Sequence, residues 1–378
     1  MAENRREARP RGASAQAIGG ARLVACLAVT LLALQLAAPR AGAADLSRVF
    51  DAGLGGDMAA ALAILDSIPA AQLTPKDSAT AGCIRRTFQS PPTSEGLPAR
   101  SGAILAAYRN YWQSAMLRRM TPAEAESRLL SDLNAIGGAA AADTTAAGGL
   151  EAASERAKAA IESEGLHALT GVTSPFWELM IWKVHTPTTY KVKLTDQTLD
   201  VRVVFLDEFV SLGWAAYATC GRAHTGGWAT SEELYALKSS YVLDSEDFRV
   251  SYLAHEGRHF ADYKRFPKLE QPELEYRAKL TEIALSDTTT HSLIANFSRR
   301  TVRDRSVPHS FANYCVARDL GRAVFGRDAG AGVGGGGGDP SRWAGVPADR
   351  LRREARRLLK ENDKRLGRMG AATVERFL

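Results

Sequence analysis

Five residues constrain this chain more tightly than its composition does. His255-Glu256-Gly257-Arg258-His259 lies in a stretch whose apolar residues Phe248, Tyr252, Leu253, Phe260 and Tyr263 recur at helical spacing. Histidines four apart on a helix share one face, with Cβ atoms about 5–6 Å apart. Each can turn a ring nitrogen toward one ion at about 2.0–2.1 Å. Glu256 is rotated about 100° from His255 around the axis, so it stands beside such an ion rather than on it. There it is placed to take a proton from ion-bound water. The alternative is an ordinary helix that spells this pattern by chance. Against that, two histidines and a glutamate on a half-apolar helix are costly to bury without partners, and a metal supplies one.

A catalytic zinc ion usually takes three protein ligands and one water. A third histidine six residues after the second, with glycine three after it, is excluded, because Arg265 and Asp262 hold those places. Glu275 follows His259 by sixteen residues, on the next helical segment, beyond a turn bracketed by Pro267 and Pro272. Glu273 and Glu270 are the other acids in reach. Glu275-Tyr276-Arg277-Ala278 also carries the pattern E-[FY]-x-A. On these two short motifs, Ser251 to Leu285 resembles the core of a gluzincin-type zinc metalloprotease. The resemblance implies Zn²⁺ held by His255, His259 and Glu275, Glu256 as general base, and a peptide or protein substrate. One departure stands out. Lys279 occupies the place where some gluzincins carry an aspartate that orients a histidine, which leaves Glu282 or Asp262 for that task.

Peptide hydrolysis also needs a donor for the developing oxyanion. His309 heads the candidates as a second catalytic residue, with Tyr314 and His291 behind it; a capping or surface role is the ordinary alternative for each. His224–Thr230 is a candidate border for a substrate-binding sheet edge, and its glycines fit a turn equally well. Glu164-Gly165-Leu166-His167 repeats the Glu-x-x-His spacing of Glu256 and His259, which would suit a di-iron bundle. Gly165 weakens a helix there, and sheet signals separate the two copies. No G-x-S-x-G, phosphate loop or dinucleotide fingerprint is present. The non-enzyme alternative is an exported helical binding or scaffold protein with a structural metal or none.

The expected class is α+β: mostly helical, with a small antiparallel sheet packed on the motif helix and a following ligand helix. Asp57–Ile68, Gly102–Met120 and Thr121–Ile136 have helical periodicity, and Thr121 with Glu124 reads as a capping box. A helix over Leu150–Ser163 follows an Ala/Gly stretch. Thr188–Leu194 and Leu199–Phe205 alternate as a hairpin. Trp214–Ala218 and Gly227–Leu237 add strands, and Asp244–Asp247 starts the motif helix, which stops before Pro267. The resulting division is 1–43 leader, 44–149 helical region and linker, 150–328 metalloprotease-like domain, 329–342 glycine-rich linker and 343–378 basic helix.

Residues 1–22 carry five arginines and two acids, ahead of an apolar run from Leu23 to Ala38 and a small-residue site. That order is a secretory signal peptide, cut after Ala43, and implies export to the bacterial periplasm or beyond. Its removal takes the net charge from +6 to about +2. The remaining positive charge gathers at the end: Arg342 to Leu378 holds eleven basic and five acidic residues. A basic tail on a mildly acidic body excludes a general nucleic-acid binder and suggests contact with an acidic partner or a membrane surface through the last helix. Of Cys83, Cys220 and Cys315, the pair Cys220–Cys315 is the expected disulfide, both lying in one assigned domain.

Overall fold

The structure, a computed structural model, describes residues 46–91, 96–138, 149–230, 232–326 and 340–378. The leader, the Ala/Gly stretch at 139–148 and the glycine run at 330–338 lie outside the described residues. The class is α+β, as the periodicities indicate.

Six helices come first: α1 (Ser47–Leu54), α2 (Met58–Asp66), α3 (Pro75–Gln89), α4 (Ala99–Met116), α5 (Pro122–Gly137) and α6 (Gly149–Ser163). The capping box at the start of α5 forms as the residues predict. Glu124 N donates to Thr121 Oγ1 (3.4 Å), and Thr121 N donates to the Glu124 carboxylate (2.8 Å). Strands β1 (His167–Thr173), β2 (Phe176–Lys193) and β3 (Thr198–Leu212) then form an antiparallel meander. A short helix, α7 (Trp214–Thr219), precedes β4 (Gly227–Ala229) and β5 (Leu234–Leu237).

The sheet is mixed, not antiparallel throughout. Its order is β1-β2-β3-β5-β4, and β5 runs parallel to β3. The cause is α7, where a strand was expected. Gly213 adopts φ 90°, turning the chain out of the sheet, and Trp214 N donates to the buried Glu178 Oε1 (3.0 Å). The chain therefore crosses over and returns in the direction of β3.

The second half is helical. π-Helical turns at Asp247–Ala254 run into α8 (His255–Arg265), followed by α9 (Gln271–Leu285), α10 (Thr290–Arg299), α11 (Pro308–Phe325) and α12 (Ala348–Met369). One core joins the first helices to β1, β2 and α7 through residues such as Trp112, Leu129, Ile161 and Ile181, so it draws on both sides of position 150. A second gathers α9 to α12. A third packs Val192, Val201 and Phe205 of the hairpin against Phe248 and Phe260. The motif helix is thus held between the sheet and α9. Leu351, Ala355, Leu359 and Leu366 of α12 are buried in the second core, so this helix is firmly seated rather than loosely laid on the body.

The disulfide joins Cys83 and Cys220, and Cys315 is a buried free thiol, which corrects the expected Cys220–Cys315 pair. Cys220 caps α7 in the first core beside α3, whereas Cys315 faces inward on α11 in the second. Sequence proximity to the motif domain misled, because α7 packs on the N-terminal helices. The bridge closes a 137-residue separation. Cys83→Ser should lose about 2–5 kcal/mol in denaturant unfolding, and reductant should lower the native chain to the same level.

Glu246 also does other work than starting the motif helix. Its carboxylate accepts from Thr288 N (2.9 Å), Asp287 N and Thr289 Oγ1 (2.8 Å), capping the entry to α10. Burial pushes its pKa up, but these donors outweigh burial and bring it down to about 2. A carboxyl lowered by folding stabilises fully above its ordinary value of 4.5, and that contribution fades as pH falls toward 2. Glu246→Gln should therefore lower the melting temperature at pH 7 and flatten its decline between pH 4.5 and 2.

Candidate metal centre

α8 can carry its histidines this deep because of Gly257. A Cβ there would come within 3.2 Å of Val192 Cγ1, so glycine lets the helix lie directly on the β2–β3 hairpin. His255 and His259 face the other way, toward α9, and each is 4% exposed. Glu275, on the second turn of α9, is 1% exposed and meets them. The proline-bracketed turn does fold the second helix back onto the first.

The three side chains form a small triangle. His255 Nε2 and His259 Nε2 are 3.2 Å apart. Glu275 Oε1 lies 3.4 Å from His259 Nε2, and Oε2 lies 3.7 Å from His255 Nε2. Ligand atoms about 2.0–2.1 Å from a tetrahedral ion stand about 3.3 Å from one another. The spacing therefore suits an ion, and among the described residues this is the one group of three or more His, Cys, Asp or Glu whose donor atoms converge so.

The ring nitrogens are already sorted. Glu282 Oε1 accepts from His255 Nδ1 at 2.7 Å, which frees the Nε2 lone pair to face the triangle. Glu282, not Asp262, thus orients a histidine. Burial pushes the His255 pKa down, but the Glu282 hydrogen bond and charge, with Glu275 and Glu256, outweigh it and raise it to about 9. Burial likewise opposes ionisation of Glu275, yet His259, His309 and His255 hold its carboxyl well below the usual range. Glu256, Glu275 and Glu282 are all buried, and Lys279, its Nζ 3.7 Å from Glu275 Oε2 and over the Phe297 ring, is the lone lysine among them. A divalent ion beside that ammonium would balance three carboxylates. Three buried polar atoms have no directed partner: Glu256 Oε2, His259 Nδ1 and Glu275 Oε2. The donor set, the triangle and the orphaned Glu275 Oε2 fit zinc.

His309, in the first turn of α11, completes the surroundings. Its Nδ1 is 2.7 Å from Glu275 Oε2, although the approach is not aligned for a hydrogen bond. It is the half-exposed member of the cluster, with 38% of its side chain open. Tyr314 and His291 are elsewhere: Tyr314 sits under Arg303 and Arg318, and His291 Nε2 meets Val346 O at 2.8 Å. Glu273 and Glu270 are occupied by Arg305, and Glu273 also accepts the backbone N–H of Phe377. His224 contacts Thr225 O next door. The second Glu-x-x-His copy is apart as well, Glu164 accepting from Ser101 and His167 stacking on Trp182.

Residues outside the motif logic hold the two helices together. Arg277, fully buried, forks onto Asp262 of α8 at 2.7 and 2.9 Å and reaches Asp363 of α12 at 2.9 Å. Arg258 spans the hairpin turn, bonding Asp196, and Thr281 of α9 (3.3 Å). Nothing in linear spacing singles out Arg277. The cue is that it lies two residues past Glu275, in a helix buried from Pro272 to Ala284. An open groove of about 570 Å³ beside α4, α5 and Phe176 holds none of these residues.

No protein-family model, curated protein or solved structure matches this chain.

Two sets of variants test the centre. Glu275→Gln and His259→Ala should each abolish stoichiometric zinc uptake, measured by elemental analysis after gel filtration. Glu282→Gln should keep the stoichiometry and weaken affinity about 10- to 100-fold. Arg277→Ala should cost about 3–5 kcal/mol in unfolding free energy, because Asp262 is left charged and buried without its fork.

Proposed function

We propose that this chain is an exported zinc-dependent peptidase of gluzincin type. One observation carries the reading. Glu256 is 4% exposed, next to a histidine of the triangle, and its Oε2 has no partner. A structural metal site has no use for an uncommitted buried carboxylate, whereas a hydrolase needs one as a base.

His255, His259 and Glu275 would hold the ion, which supplies Lewis-acid chemistry, polarising a carbonyl and making water nucleophilic near neutral pH. Glu256 accepts the proton at Oε2 and later delivers it to the leaving amine. Glu282 keeps the His255 ring in register. His309, half exposed and against Glu275, is the side chain placed to meet substrate and to donate to an oxyanion. The flanking strand supports an extended substrate. Among the described residues β1 covers β2 as far as Trp182, no strand pairs with its outer edge beyond that, and that outer segment lies on the hairpin under α8. A free edge of this kind accepts a peptide by strand addition.

Export is supported by the Cys83–Cys220 bridge, which persists in oxidising compartments. No helix of the described residues is long and apolar enough to cross a membrane. The second reading, a binding or scaffold protein with a structural metal, is favoured by the burial of His255, His259 and Glu275 to 4% exposure or less. Zinc-loaded protein assayed on a mixed peptide library separates the two. Glu256→Gln should retain zinc and lose about 10²–10⁴-fold in cleavage rate. Zinc-loaded native protein that cleaves nothing would leave the structural reading.

A further inference from the structure

Helix α12 divides into two faces. Leu351, Ala355, Leu359, Asn362 and Leu366 are buried against the body. Opposite them stand Arg353, Arg356, Lys360, Lys364 and Arg368, all exposed. At 100° per residue these five fall within an arc of about 120°, and at 1.5 Å per residue they form a row about 22 Å long.

Three of the four acids of this helix are held off the row, and Asp349 lies on its arc one turn before Arg353. Glu354 and Glu361 both pair with Arg357 (2.7 and 2.6 Å). Asp363 turns inward to Arg277 and Arg265, and Asp349 takes Arg352. None of the five row residues has an ion-pair or hydrogen-bond partner among the described residues. Arg356, Lys360, Lys364 and Arg368 follow one another at four-residue spacing, and like charges so placed destabilise a helix. The buried stripe holds the helix in spite of this. An anionic surface would remove the repulsion.

We infer that this row docks the protein on an anionic phospholipid surface. A straight rod meets a plane along a line, and the five cations lie along such a line. The exposed row offers no aromatic ring to stack on a base and no amide to read a base edge, as a nucleic-acid site would. Its leucines are committed to the core, so contact is with headgroups alone and reverses with salt. The inference stands apart from the proposed chemistry, since it uses none of the metal-centre residues.

Residues 44–378 keep every described element and remove the apolar leader, which would bind lipid by itself. This chain is sedimented with vesicles of phosphatidylcholine and phosphatidylglycerol (about 70:30), and with phosphatidylcholine alone, at low and high salt. Binding is expected to the anionic vesicles at low salt only. Each cation near the surface is worth about fivefold in partitioning, so Arg356→Ala/Lys360→Ala/Lys364→Ala should weaken it about a hundredfold. The melting temperature of this variant should hold or rise. Equal binding to neutral vesicles, or unchanged binding by the triple variant, overturns the inference. So does duplex DNA binding of equal or greater strength at the same salt, lost in the triple variant.

Discussion

The fork from Arg277 to Asp262 is the contact on which the rest of this half of the molecule depends. It joins α8 to α9 with two charge-assisted bonds in a space that excludes water, where neither charge can be left alone. Both helices carry members of the His255–His259–Glu275 triangle, so their separation and rotation set whether Glu275 meets the two histidines. Arg277 also reaches Asp363, which ties α12 to the same point. Arg258 does the corresponding job toward the sheet through Asp196. The centre is therefore braced on three sides by groups that never touch it. Such bracing holds a constellation within the few tenths of an ångström that metal geometry demands.

Charge explains why the centre is built this way. Glu256, Glu275 and Glu282 are buried together with one lysine. Burial opposes charge there, yet the Glu282, Glu275 and Glu256 carboxylates make His255 draw its proton more tightly. Glu282, two turns beyond Glu275, supplies the carboxylate that holds the His255 ring, and Lys279 stands between them. This places an ammonium against the Glu275 carboxylate. The π-helical turns just before His255 belong to the same picture. Turns of this kind collect at functional sites, where a shift in helical phase re-aims a side chain.

Much of this was legible in the residues. The i, i+4 histidines require one helix face whatever surrounds them, so His255, His259 and the adjacent Glu256 follow from local geometry alone. The turn between Pro267 and Pro272 brought Glu270, Glu273 and Glu275 into reach, because a short break between helices forces them side by side, and the E-[FY]-x-A resemblance pointed to Glu275. The Thr121 capping box and the hairpin alternation were equally local. Each rests on contacts within a few residues, which the order of side chains specifies directly.

The rest depended on segments far apart in the chain. Cys83 pairs with Cys220 because α7 packs on the N-terminal helices, and the parallel β5 exists because Gly213 and Glu178 turn the chain out of the sheet. Glu246 caps α10 rather than its own helix, since a carboxylate takes whichever N–H groups folding brings to it. Arg277, Asp262 and Asp363 find one another across 101 positions. What the sequence alone determined was the pattern of each helix and hairpin and the identity of the donors on one helix face. What only the tertiary structure decided was which buried charges are matched, because that depends on where water has been excluded, and exclusion is a property of the packed whole.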